Sequence, residues 1–123
     1  MVEVTKLPEY LKNLLSIKDK VFIGDLPSLS EEGVGIVLEE GSSELRYFGQ
    51  KKSLERPWIR FTIRTKTYAD GMLRADSIKK DLNRFTDDNI LQCLISGSPM
   101  YIGKNQQKLH EIQLLFYITL KEW

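Results

Sequence analysis

The sequence predicts an α+β fold: an antiparallel or mixed sheet of about four to five strands with two helices packed on one face. Three observations lead there. Apolar residues recur at helical spacing in two separate segments. Strict alternation marks Trp58–Thr65 and His110–Lys121 as strands. The resulting order, α, β, β, β, α, β, β, suits strands that pair antiparallel while the helices cover one side. Its 123 residues are read as one domain spanning 1–123.

The elements follow in order. Val4–Lys18 predicts a helix, with Leu7, Tyr10, Leu11, Leu14 and Leu15 forming a stripe, Thr5 as N-cap and Pro8 in the first turn. Val21–Gly24 is a short strand, ended by Asp25-Leu26-Pro27-Ser28. Gly33–Glu39 is a second strand, in which Gly35 marks a bulge or a close backbone approach. Residues 40–56, with Gly41-Ser42-Ser43 and Gly49-Gln50-Lys51-Lys52-Ser53, read as a flexible arm or a long hairpin, with Leu45–Phe48 as a strand extension.

In Trp58–Thr65, Ile59, Phe61 and Ile63 point to the core, and Arg60, Thr62 and Arg64 point away. Tyr68–Phe85 is the stronger helix. Its stripe is Tyr68, Met72, Ala75, Ile78, Leu82 and Phe85, and Thr67 caps it with Asp70 in the first turn. Ile90–Ser96 and His110–Lys121 complete the strands. Between them Gly97-Ser98-Pro99 interrupts and Met100–Gly103 resumes an extended form. In the last strand Ile112, Leu114, Phe116, Ile118 and Leu120 share one face. Leu115 and Tyr117 make the other partly apolar, so the strand is central or its outer face meets another subunit.

Chemistry-bearing motifs are absent. One Cys and one His argue against a zinc site, and there is no P-loop, dinucleotide fingerprint or nucleophile elbow. Cys93 lies in an apolar run and reads as a buried, inert thiol; a lone cysteine without an internal disulfide fits a reducing compartment. His110 opens a strand and reads as structural. No apolar run reaches the length of a membrane span, and residues 1–20 lack a secretory pattern, which places the expected protein in the cytoplasm. The expectation is a protein that assembles with others, not an enzyme, with no cofactor.

The net charge of +1 conceals two blocks. Asp19–Glu44 carries seven acids and one lysine; Arg46–Lys66 carries seven bases and one acid. Either the blocks neutralise each other within one fold, or they meet across subunits, where complementary charge steers association. The second reading pairs Glu31, Glu32, Glu39 and Glu40 with Arg46, Lys51, Lys52 or Arg56 of a neighbour. An alternative is a small nucleic-acid-binding module using the basic 46–66 region and its aromatics Tyr47, Phe48, Trp58 and Phe61. The pI near 7.8 argues against it.

Several stretches carry a resemblance: Leu11-x-x-Leu14-Leu15, Val21-Phe22-Ile23-Gly24-Asp25-Leu26-Pro27, Arg56–Arg64, Gly97-Ser98-Pro99-Met100-Tyr101-Ile102-Gly103, and His110-Glu111. Together they resemble the minor capsid proteins of tailed bacteriophages, the group that includes tail-terminator, tail-completion and head–tail joining proteins. The resemblance implies a virion structural protein whose fold is a sheet with helices on one side. It implies a homo-oligomeric ring, typically a hexamer, joining head and tail or terminating the tail tube. The implied partners are tail tube and head connector proteins, with packaged DNA passing the ring and no membrane. The implied place is the virion, after assembly in the cytoplasm of the infected bacterium.

Overall fold

The computed structural model describes residues 4–17, 20–45 and 53–120; at residues 4, 40–45 and 53–56 it describes the backbone path only. The first helix, α1, spans Leu7–Leu14 and is led in by a 3-10 turn at Val4–Lys6. It is shorter than the sequence suggests, and Thr5 does not cap it. Lys6 holds the N-cap position in a helical conformation with no side-chain cap, because the tighter turn already runs into the helix. Leu7, Leu11 and Leu15 are fully buried, as their spacing requires.

Among the described residues six strands form one mixed sheet: β1 (Val21–Ile23), β2 (Gly33–Leu45), β3 (Ser53–Thr65), β4 (Ile90–Ile95), β5 (Met100–Lys104) and β6 (His110–Leu120). The order is β1-β2-β3-β6-β4, with β5 also paired to β6. Of these strands, β1 and β2 run parallel and the other pairs run antiparallel. The strand beyond the expected four to five is β5, which continues the β4 path along β6 after the Ser96–Pro99 interruption.

Strands β2 and β3 pair from Gly33↔Arg64 to Leu45↔Ser53, with one extra β2 residue between Glu39 and Ser42. Gly41 thus lies within a bulged strand, in the stretch that composition reads as a flexible arm or a long hairpin. Arg46, Tyr47 and Phe48 lie outside the described residues.

The second helix, α2, spans Tyr68–Leu82. Thr67 caps it through its hydroxyl, which accepts the Asp70 N–H at 3.1 Å. The helix ends at Leu82, three residues before Phe85, and beyond the C-cap Asn83 the chain turns back: the Arg84 N–H donates to the Cys93 carbonyl at 2.7 Å. Ala75, Ile78 and Leu82 are buried, and Met72 and Phe85 pack beside them. Tyr68 departs from the expected stripe; it overhangs the sheet end and is 49% exposed.

Both helices cover the same face. Val34 and Ile36 of β2, Ile59, Phe61 and Ile63 of β3, and the even-numbered apolar residues of β6 join the helix residues in one core. Phe61 and Phe116 meet edge to face at its centre, 5.5 Å between centroids. Gly71 lets α2 settle on β6: a Cβ there would stand 2.7 Å from Ile112 Cδ1. Tyr10 ties α1 to the turn before β4. Its hydroxyl donates to Asp87, whose other carboxylate oxygen accepts the Asn89 and Ile90 N–H groups at 2.8 Å. That hydrogen bond, with partial burial, raises the Tyr10 pKa.

Candidate functional site

With both described helices on one side, no helix covers the second face of the sheet. Its character follows from register. Glu39, Trp58, Tyr117 and Leu94 line up across β2, β3, β6 and β4, and Val37, Arg60 and Leu115 form the next row. Trp58 and Tyr117 pack edge to face at 5.0 Å, yet Trp58, Tyr117 and Leu94 each keep more than a third of their surface open. The alternation of β6 shows why: a central strand carries apolar residues on both sides, and helices cover only one. Leu115 and Tyr117 signal this face in the sequence. Trp58 and Leu94 join them only through strand order.

The lower half of the same face is covered by the chain itself. The β1–β2 connection, residues 24–32, lies across it as a strap. Gly35 makes room, since a Cβ there would stand 2.7 Å from the Gly24 carbonyl oxygen. This is the close backbone approach expected at Gly35. Arg64 fastens the strap. It is 7% exposed; its Nε and Nη2 donate to one Glu111 carboxylate oxygen at 2.9 and 2.7 Å, and Nη1 donates to the Ser28 carbonyl. Asn105 adds a hydrogen bond to the Leu29 carbonyl at 2.8 Å. The alternation of β3 marks Arg64 as outward-facing. It is buried because a distant loop closes over it.

The charged residues singled out in the sequence divide between fates. Glu39 bonds Arg60 of the same chain at 2.6 Å, with Asp25 at 3.8 Å from the same guanidinium. The Glu32 carboxylate accepts the Lys66 N–H at 3.2 Å, and the Glu31 backbone carbonyl lies within the Arg64 clamp at 3.4 Å. Glu40 and Arg56 are described by backbone only; Arg46, Lys51 and Lys52 lie outside the described residues. Part of the acidic block is therefore neutralised within the fold. Two cations of the nucleic-acid alternative, Arg60 and Arg64, have carboxylate partners inside the chain.

At the start of α2, Tyr68 and Tyr101 pack edge to face at 5.1 Å, and the Tyr101 hydroxyl and His110 Nδ1 share a hydrogen bond at 2.9 Å. His110 is thus engaged within a surface aromatic cluster. Cys93 is fully buried on the core face, and desolvation pushes its thiol pKa up to about 12, which suppresses the reactive thiolate. Among the described residues no group of His, Cys, Asp or Glu is arranged to hold a metal ion. No helix there is long and apolar enough to cross a membrane.

A shaped but uncovered sheet face beside a fastened strap suits contact between proteins. In the solved structure described as "Virion of native gene transfer agent (GTA) particle", one chain shares the fold with a TM-score of 0.61. The likeness covers 91% of this chain and 84% of that one at 13% identity. No curated protein matches. The family model described as "Bacteriophage tail terminator protein" matches residues 10–122, nearly the whole sequence. The chain belongs to the bacteriophage tail terminator family and is a virion structural protein of the tail joint.

Proposed function

We propose that this tail terminator acts as one of six identical subunits in a closed ring, seated on the tail tube and facing the head connector. The observation that carries the reading is the family match over residues 10–122. The uncovered sheet face supports it, because a subunit of a ring needs outer surfaces that close only on assembly. Assembly takes place in the cytoplasm of the infected bacterium, and packaged DNA passes through the ring. The chain works as one unit, with residues 40–56 as an arm reaching the next subunit.

Across that boundary, Glu31, Glu32, Glu39 and Glu40 of one subunit face Arg46, Lys51, Lys52 and Arg56 of the next. Glu32 and Glu39 then share their carboxylates with Lys66 and Arg60 of their own chain. Such pairs fix register and orientation more than they add affinity. Light scattering on a Lys51→Glu/Lys52→Glu variant tests the arrangement. A smaller assembly from a subunit that unfolds at the wild-type temperature is expected. An unchanged assembly would refute these contacts.

A further inference from the structure

From Ile90 to Gly103 the chain runs fourteen residues without a single charge, although 28% of the whole sequence is charged. This run is β4, the Ser96–Pro99 interruption and β5 short of its last residue, Lys104, and it forms one margin of the sheet. Exposed sheet margins are commonly blunted by lysines and other charges. This one carries exposed Leu91, Leu94, Met100, Tyr101 and Ile102, and it adjoins Trp58 and Tyr117 on the open face.

Two of these residues are turned outward by the backbone. Leu91 is the extra residue of a bulge between the Ile90↔Leu120 and Gln92↔Thr119 pairs, and Ile102 is the extra residue between Tyr101↔Ile112 and Gly103↔Glu111. At 53% and 48% exposure, neither serves the core of its own chain. A polar residue at either position would cost the isolated subunit nothing.

We propose that the β4–β5 margin is a contact surface for a second copy of this chain. The area fits such a partner. Leaving out Tyr101, which lies on the helix side against Tyr68, the exposed parts of the other six amount to on the order of 600 Å² per subunit, against ~600–1,000 Å² per partner in a standard interface. The lack of charge fits it too, since subunits of one kind meet here without burying unpaired ions. Contact is by side chains along β4. Its outward Cys93 carbonyl and Ile95 N–H are already bonded to the Arg84 N–H at 2.7 Å and to Asn83 Oδ1 at 3.1 Å. Strand addition is thereby closed off on β4.

The inference deepens the ring reading by naming a seam, and rests on it only in taking the partner to be a like subunit. The test compares wild type with Leu91→Glu/Ile102→Glu and, separately, Leu94→Lys, by sedimentation over a concentration series, thermal unfolding and capping of purified tails. Wild-type assembly is expected at a concentration at least tenfold below that of either variant, with unfolding temperatures alike. A dimer that goes no further and that the variants dissociate would keep the seam and overturn the ring. Variants that assemble as the wild type does would overturn the seam and leave the ring standing. If those variants also fail to cap tails, the margin belongs to the tube contact instead. Wild type that stays monomeric at every concentration would overturn both.

Discussion

Replacing Arg64 by Met keeps most of the side-chain volume and removes the clamp that holds the strap. The structure sets the size of the effect. Two N–H groups leave the Glu111 carboxylate, and the Ser28 carbonyl loses its donor. Breaking a buried ion pair by removing one partner typically costs ~3–5 kcal/mol. Here the Glu111 side chain keeps 20% of its surface open, so water recovers part of that charge. A loss of about 3 kcal/mol follows, from a total of roughly 6–15 kcal/mol for a chain of this size. Urea unfolding followed by tryptophan fluorescence measures it. With an m-value of about 2 kcal/mol/M the midpoint falls by about 1.5 M. Arg64→Met/Glu111→Leu, which leaves no charge behind, should recover about 2 kcal/mol of the loss. A single-variant loss below 1 kcal/mol, or a double variant as damaged as the sum of the singles, would refute the clamp.

Two further outcomes follow from the same geometry. The thiol of Cys93 has a folded pKa of about 12 against an ordinary 9.0, so the folded state holds this proton more tightly than the unfolded chain. Its stabilising contribution is complete below pH 9 and is lost as pH rises toward 12, on the order of 4 kcal/mol in all. Wild type should therefore lose stability more steeply than Cys93→Ala between pH 9 and 10.5, and native protein at pH 8 should resist a thiol reagent until denaturant is added. Parallel slopes for the two proteins would contradict this. Gly35→Ala places a methyl 2.7 Å from a backbone oxygen that cannot swing aside, so the strap must lift, at a cost of about 1–3 kcal/mol. Faster exchange of the Gly24 N–H, which donates to the Ile36 carbonyl at 2.7 Å, should accompany the loss; protection equal to wild type would count against it.

Local rules made some of this molecule legible in advance. The Thr67 cap needs only the residue itself and a free N–H three places on. The alternation of β6 needs only a covered and an uncovered side, and Gly35 needs only a neighbour too close for a Cβ. The harder features depend on chain segments far apart in sequence. Arg64 reads as exposed until a segment 36 residues away closes over it. Gly41-Ser42-Ser43 reads as part of a flexible arm or a long hairpin until pairing with β3 holds it extended through a bulge. Tyr68 fits the apolar stripe by spacing, but the sheet ends beneath it. The margin from Ile90 to Gly103 is visible as a run without charge; its exposure becomes visible only when β6 is found to lie inside it.

The place of β6 has a bearing on how the chain is made. It follows the other five described strands in the chain, yet it sits between β3 and the β4–β5 margin and supplies the middle of the core. Until it emerges, β3 has no partner on that side and α2 has half a floor. Folding of this sheet must wait for β6, because the contacts that reward ordering join segments distant in sequence. A chain cut short before His110 therefore lacks the strand that closes the core and stays open to proteolysis.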